Sequence, residues 1–92
     1  MNNIIDFIPH GKENAISRTS LVINTGLSDR KVRDLIALER RNHVILNAQD
    51  GKGYYRPLPE EKADVERFVT QETHRAKSIF WSLRAAKRAI KE

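Results

Sequence analysis

Residues 28–37 combine basic side chains with an apolar face in the pattern of an amphipathic helix. Val32, Leu35 and Ile36 recur at helical spacing, so we expect them to pack against the protein core. The positions expected to be exposed on the opposite face are Ser28, Arg30, Lys31, Arg33, Asp34 and Ala37, and all but the alanine are polar. An arginine fork can pair with O6 and N7 of guanine, whereas a lysine binds phosphate as a point charge. The two arginines of this face are therefore candidates for base readout, and Lys31 is a candidate for phosphate binding.

Two short helices joined by a tight turn are predicted to hold this face in position. Ser17 or Thr19 caps the first helix, and Gly26 suits the left-handed conformation at its end. Ser28 caps the second helix, which is predicted to span residues 28–42. Thr19 and Ser28 then stand near helix N-termini, where hydroxyl and backbone N–H groups bind phosphate. We expect both residues to belong to the binding surface.

A β-hairpin is predicted after the second helix. Residues 44–48 favour a strand, residues 49–53 form a glycine-rich turn, and residues 54–56 return as the second strand. Lys52 lies at the tip of this turn and Arg56 on the returning strand, so both are candidates for phosphate contacts. The alternative is an ordinary hairpin whose glycines serve the turn alone.

Four residues in and after the first predicted helix are spaced as in a helix-turn-helix. Val22 precedes Gly26 by four positions, and Val32 and Leu35 lie six and nine positions beyond the glycine. With the hairpin that follows, residues 1–58 resemble the winged helix-turn-helix family and are similar to the short winged-helix proteins of phage and prophage regions. The resemblance implies that the second helix reads the major groove of double-stranded DNA while the hairpin, the wing, holds the DNA backbone.

The overall charge agrees with an anionic partner. The chain has 17 Lys and Arg against 12 Asp and Glu, a formal net charge of +5. Asp34 departs from the expected pattern, because a carboxylate on the DNA-binding face repels phosphate. Together with this charge, the resemblance implies a small DNA-binding transcriptional regulator of bacterial or phage type, for which the C-terminal residues 59–92 predict a dimer. The alternatives are an interaction module of a replication or recombination complex, and an architectural DNA binder with little sequence preference.

Residues 59–92 are predicted to form one long C-terminal helix. Pro59 suits the first helical position, and no glycine follows it. Apolar residues then recur in steps of about three and four, and the proposed dimer seam contains Val65, Val69, Ala76, Ile79, Phe80, Leu83 and Ile90. This stripe is too long for residues 1–58 to cover, so it favours a homodimer. The alternative is a bend at residues 70–74 that folds the helix back onto its own domain.

The composition argues against disulfide-bonded, metal-binding, enzymatic and membrane-spanning proteins. The chain contains no cysteine, so disulfides and thiolate metal sites are excluded. His10, His43 and His74 are scattered, and neither a phosphate-binding glycine loop nor a nucleophilic triad can be argued. We expect no enzymatic activity, no cofactor and no metal, and the sequence indicates no particular small-molecule effector. No apolar run approaches the ~20 residues of a membrane span, so we expect a cytoplasmic protein. The predicted elements make its fold mainly α with a small β-hairpin.

Overall fold

The computed structural model describes residues 3–48 and 51–91 of the 92-residue chain. The predicted hairpin residues 49 and 50 lie outside these ranges. The elements, in chain order, are a 3-10 turn Ile4–Phe7, a 3-10 turn Lys12–Asn14, α1 Arg18–Thr25, α2 Asp29–Glu39, β1 Leu46–Asn47, β2 Tyr54–Tyr55, a 3-10 turn Pro59–Glu61 and α3 Lys62–Lys91. The fold is thus mainly helical, with a two-stranded antiparallel hairpin and a long C-terminal helix.

Both ends of α1 and the start of α2 are set by residues that the sequence indicated. The Ser17 hydroxyl accepts a hydrogen bond from the backbone N–H of Ser20 at 3.1 Å, and Ser28 does the same for Lys31. Gly26 ends α1 with φ of 73°, in the left-handed region. α2 ends at Glu39, three residues before the predicted end, and residues 40–42 continue as a turn.

A small apolar core fixes the angle between α1 and α2. Leu21 of α1 and Val32 of α2 are completely buried, and Ile36 lies beside them. The same cluster contains four isoleucines from the chain before α1 and after α2: Ile4, Ile5, Ile8 and Ile45. Because α2 buries this face, its opposite face is presented outward.

The hairpin is attached to the chain just before α1. In the register of the pair, Leu46 faces Tyr55 and Asn47 faces Tyr54. Ile16 pairs with the other edge of β2 through two backbone hydrogen bonds to Tyr54, of 2.8 and 2.9 Å. The hairpin therefore cannot move far from the start of α1 without breaking this bridge.

α3 is one uninterrupted helix of 30 residues, about 45 Å long. It shows no break at residues 70–74, where a bend was the alternative prediction. Val65, which was predicted for the dimer seam, is partly buried and packs with Phe68 against the hairpin cluster of the same chain. From residue 73 onward every described α3 side chain is exposed. Within the described ranges, no helix combines the length and apolar character needed to cross a bilayer.

Tyr55 links the hairpin to α3. Its hydroxyl donates to the Asp64 carboxylate at 3.2 Å, and its side chain is buried. Burial, together with the negative charge of Asp64, raises the pKa of Tyr55 to about 12 from an ordinary value of 10.0. Because the pKa is higher in the folded state, the stabilisation by the neutral phenol is complete below pH 10 and is lost as the pH rises through about 12.

Tyr55→Phe is expected to lower the free energy of unfolding by about 1 kcal/mol at neutral pH, because the hydrogen bond to Asp64 is lost. The variant should also lose less stability than the wild type between pH 10 and 12, since it has no phenol to ionise at this site. Urea unfolding at a series of pH values measures both effects. Parallel pH curves for the two proteins would contradict the assigned coupling.

Candidate nucleic-acid interface

The outward face of α2 presents the predicted cations to solvent. Arg30 and Lys31 are exposed, and within residues 3–48 and 51–91 their side chains have no hydrogen-bond or ion-pair partner. The Arg33 Nε lies 3.5 Å from an Asp29 carboxylate oxygen, one helical turn earlier, and its side chain remains 56% exposed. Asp34 is exposed on the same helix. Arg30 is thus the arginine of α2 that can bind a ligand without first breaking an ion pair.

Arg18 joins three elements, and the sequence analysis did not identify it. Its Nε donates to Asp29 at 2.6 Å, which links the first residue of α1 to the first residue of α2. Interaction with the Tyr54 hydroxyl and with Asp29 raises the pKa of Arg18 above its ordinary value. The sequence did contain one signal for Arg18: it is a cation in the first turn of a predicted helix, where the helix dipole disfavours positive charge. Such a residue needs an anionic partner, and Asp29 provides it.

The described part of the hairpin turn, residues 51–53, lies beside the start of α1. Lys52 is exposed and lines a surface depression together with Ser17 and Ser20. A second depression separates the hairpin from α1 and is lined by Ser17, Arg18 and Gly53 among others. Thr19 is exposed in the first turn of α1. Lys52 therefore lies beside the start of α1, and Thr19 is exposed in the same helical turn as Ser20.

Arg56 has a role inside the fold. Its Nε donates to the Ile8 carbonyl at 2.9 Å, and its backbone N–H donates to the Pro9 carbonyl at 2.8 Å. These bonds hold the segment that follows the first 3-10 turn against β2. A phosphate contact by Arg56 would therefore use the two terminal nitrogens of its guanidinium group.

The structure brings together the start of α1, the start of α2 and the hairpin. The Arg18–Asp29 ion pair connects the two helix N-termini, and the depression lined by Ser17 and Lys52 connects α1 to the hairpin. Ser28, the N-cap of α2, lies directly before Asp29 and is exposed. This surface carries five cations and two carboxylates: Arg18, Arg30, Lys31, Arg33, Lys52, Asp29 and Asp34. Its excess of positive charge and its two helix N-termini favour a polyanionic ligand.

Comparisons of the chain with protein-family models, with curated proteins and with solved structures found no match. In the part of the chain that the structure describes, no group of three or more His, Asp or Glu side chains is arranged to hold a metal ion.

Proposed function

We propose that the chain is a winged helix-turn-helix protein that binds double-stranded DNA and acts as a dimeric transcriptional regulator of bacterial or phage type. The observation that carries this proposal is the basic surface formed by the N-termini of α1 and α2 and the hairpin. On it, Arg30 and Lys31 are exposed without a partner among the described residues. A DNA-binding regulator of this type would act in the cytoplasm.

The backbone arrangement supports a winged helix. α1 and α2 are joined by the turn at Gly26, and the hairpin follows α2. The returning strand β2 lies between β1 and Ile16, so that three short segments form one ladder. In this arrangement the hairpin is the wing, and it stands next to the helix pair that would enter the DNA.

The proposed mechanism divides the contacts by their chemistry. Arg30 and Arg33 would read guanine edges in the major groove, where a good bidentate pair discriminates by about 1–3 kcal/mol. The contacts that position the protein would go to phosphates, through Lys31, Thr19, Ser28, Lys52 and the terminal nitrogens of Arg56. Arg18 would hold α1, α2 and the wing in a single orientation through Asp29 and Tyr54.

The exposed apolar stripe of α3 supports the homodimer. Val69, Phe80, Leu83 and Ile90 are large apolar residues that the chain itself leaves exposed. A second copy would bury them and bring two basic surfaces into one assembly. Two such surfaces would bind two half-sites separated by about 34–36 Å or a multiple of this distance.

The experiment that tests the proposal is fluorescence anisotropy with labelled duplex from the DNA around the protein's own gene, against a scrambled duplex. We expect tighter binding to the native duplex, with affinity that falls steeply as salt increases. Salt-dependent binding without preference would indicate an architectural protein. An absence of binding at low salt would contradict the proposal and favour the protein-interaction module.

Lys52→Ala tests the contribution of the wing. We expect similarly weaker binding to both duplexes, and a slope of log K against log salt that is smaller by about 0.9, since one phosphate contact is lost. Lys12→Ala is the matched control, because it removes the same charge from a residue that lies beside α3. Equal salt slopes for the two variants would contradict a role of Lys52 in phosphate binding.

A further inference from the structure

One exposed strip of α3 has the spacing of a two-stranded coiled coil. Its members follow one another in alternating steps of three and four residues, and they are Glu66, Val69, Thr73, Ala76, Phe80, Leu83, Lys87 and Ile90. All eight residues are exposed, and the exposed fractions of Val69, Phe80 and Leu83 are 57%, 61% and 48%. The domain of the same chain covers Val65 and Phe68 instead, and so leaves this strip open.

The charges along α3 are strongly segregated. Residues 60–72 contain five Asp and Glu and two Lys and Arg, whereas residues 73–91 contain six Lys and Arg and no acid. A parallel pair of these helices would place twelve cations side by side. An antiparallel pair would place each basic half against the acidic half of the other helix, which is electrostatically favourable.

We propose that α3 binds α3 of a second copy of this chain in antiparallel orientation, with Ala76 at the two-fold axis. In this register Val69 lies opposite Leu83 of the partner subunit, and Glu66 lies within one residue of the level of Lys87 of the partner subunit. The inference rests on the homodimer of the proposed function and deepens it by assigning the orientation and the register.

The register also matches small residues with large ones. Ala76 lies opposite Ala76 of the partner subunit, and Thr73 lies within one residue of the level of Phe80 of the partner subunit. The two aromatic rings therefore flank a narrow centre and do not collide. The Lys87 ammonium lies 6.0 Å from the centre of the Phe80 ring of its own chain. The cation thus borders the apolar strip, where it can reach Glu66 of the partner subunit.

Single cysteines distinguish the two orientations, because the natural chain has none. In the antiparallel register, a mixture of Val69→Cys and Leu83→Cys chains should form a disulfide-linked heterodimer under oxidation. Either variant alone should not cross-link, since its two cysteines would be about 21 Å apart, 14 residues along the helix axis. Ala76→Cys should cross-link with itself. Self-linking of Leu83→Cys without the mixed product would show a parallel dimer and overturn the proposal.

Exchanging the charges of the end pair tests the register independently. Glu66→Lys or Lys87→Glu should each raise the dimer dissociation constant about tenfold in analytical ultracentrifugation, because two symmetric attractions become repulsions. The double variant Glu66→Lys/Lys87→Glu should return it to near the wild-type value. Failure of the double variant to recover, in a protein whose circular dichroism is unchanged, would overturn the register.

The test of the antiparallel dimer can fail or succeed independently of the test of DNA binding. A chain that stays monomeric and does not cross-link at Ala76→Cys overturns the dimer, whereas binding of that monomer to a short half-site duplex would still support the proposed function. Conversely, a cross-linked antiparallel dimer that binds no DNA supports the assignment of α3 and contradicts DNA binding.

Discussion

Gly53→Ala is expected to lower the free energy of unfolding by at least about 3 kcal/mol and to detach the wing from the start of α1. Gly53 has φ of 116°, and a Cβ at this position would overlap the Ile16 carbonyl and lie 2.8 Å from the Ser17 Cα. These are backbone atoms, so no side chain can rotate to relieve the clash. The chain would have to break the two hydrogen bonds between Ile16 and Tyr54.

Gly51→Ala is the matched control for this prediction. Gly51 also has positive φ, of 81°, but a Cβ there meets nothing within 4 Å. It should therefore lose only about 1–2 kcal/mol, the strain of the left-handed conformation. Urea unfolding of both variants makes the comparison. Similar losses for the two glycines would show that Gly53 does not approach Ile16 as closely as described.

The same substitution connects stability to the proposed function. If the wing contributes phosphate contacts, Gly53→Ala should weaken DNA binding under conditions where the remaining domain is still folded, and Gly51→Ala should weaken it less. The measurement is anisotropy at a urea concentration and temperature where circular dichroism shows native helix content for both variants.

Arg30→Ala is expected to reduce affinity for the preferred duplex about 10- to 100-fold and affinity for scrambled duplex much less. The reason is that a bidentate arginine–guanine pair is worth about 1–3 kcal/mol and exists only at the correct base. Arg30 is exposed and, among the described residues, forms no ion pair, so its loss should leave the fold unchanged. Anisotropy on the two duplexes at a fixed salt concentration measures the ratio.

Arg33→Ala should also reduce discrimination, but by less than Arg30→Ala, because Arg33 is partly engaged by Asp29 before DNA binds. Arg41→Ala is the control, because it removes one exposed arginine from the turn that follows α2. Arg41 lies eleven residues after Arg30, far from the N-terminal end of α2. A uniform loss for all three variants on both duplexes would mean that this surface attracts DNA by charge alone and does not read sequence.

The local elements of the fold could be predicted because their signals act over a few residues. Ser17 and Ser28 cap helices through bonds to backbone three residues away, and Gly26 ends α1 in a conformation that glycine adopts easily. The boundary errors have the same origin. α2 was predicted to reach residue 42 because residues 40–42 carry no strong stop signal, and the turn there closes through competing short-range bonds.

The candidate site could be predicted only in part. Arg30 and Lys31 were identified because helical periodicity alone distinguishes the outer face of α2 from the face that holds Val32. Arg18 was missed: its place in the first turn of a helix indicated an anionic partner, but the partners themselves could not be named, since Asp29 and Tyr54 lie 11 and 36 positions away and meet Arg18 only after the core has assembled. For the same reason the sequence did not reveal that Arg56 donates to Ile8, 48 positions earlier.

By itself the sequence determined the order of helices and hairpin, the basic face of α2 and the amphipathic stripe of α3, because caps, turns and periodicity depend on neighbouring residues. Only the tertiary structure decided that Tyr55 and not Tyr54 is the buried tyrosine, since alternation along a strand separates two faces without saying which one meets the core. The tertiary structure also decided that Phe68 packs against the domain whereas Val69 is exposed. This boundary depends on how far the hairpin cluster extends along α3, which the sequence of the helix does not specify.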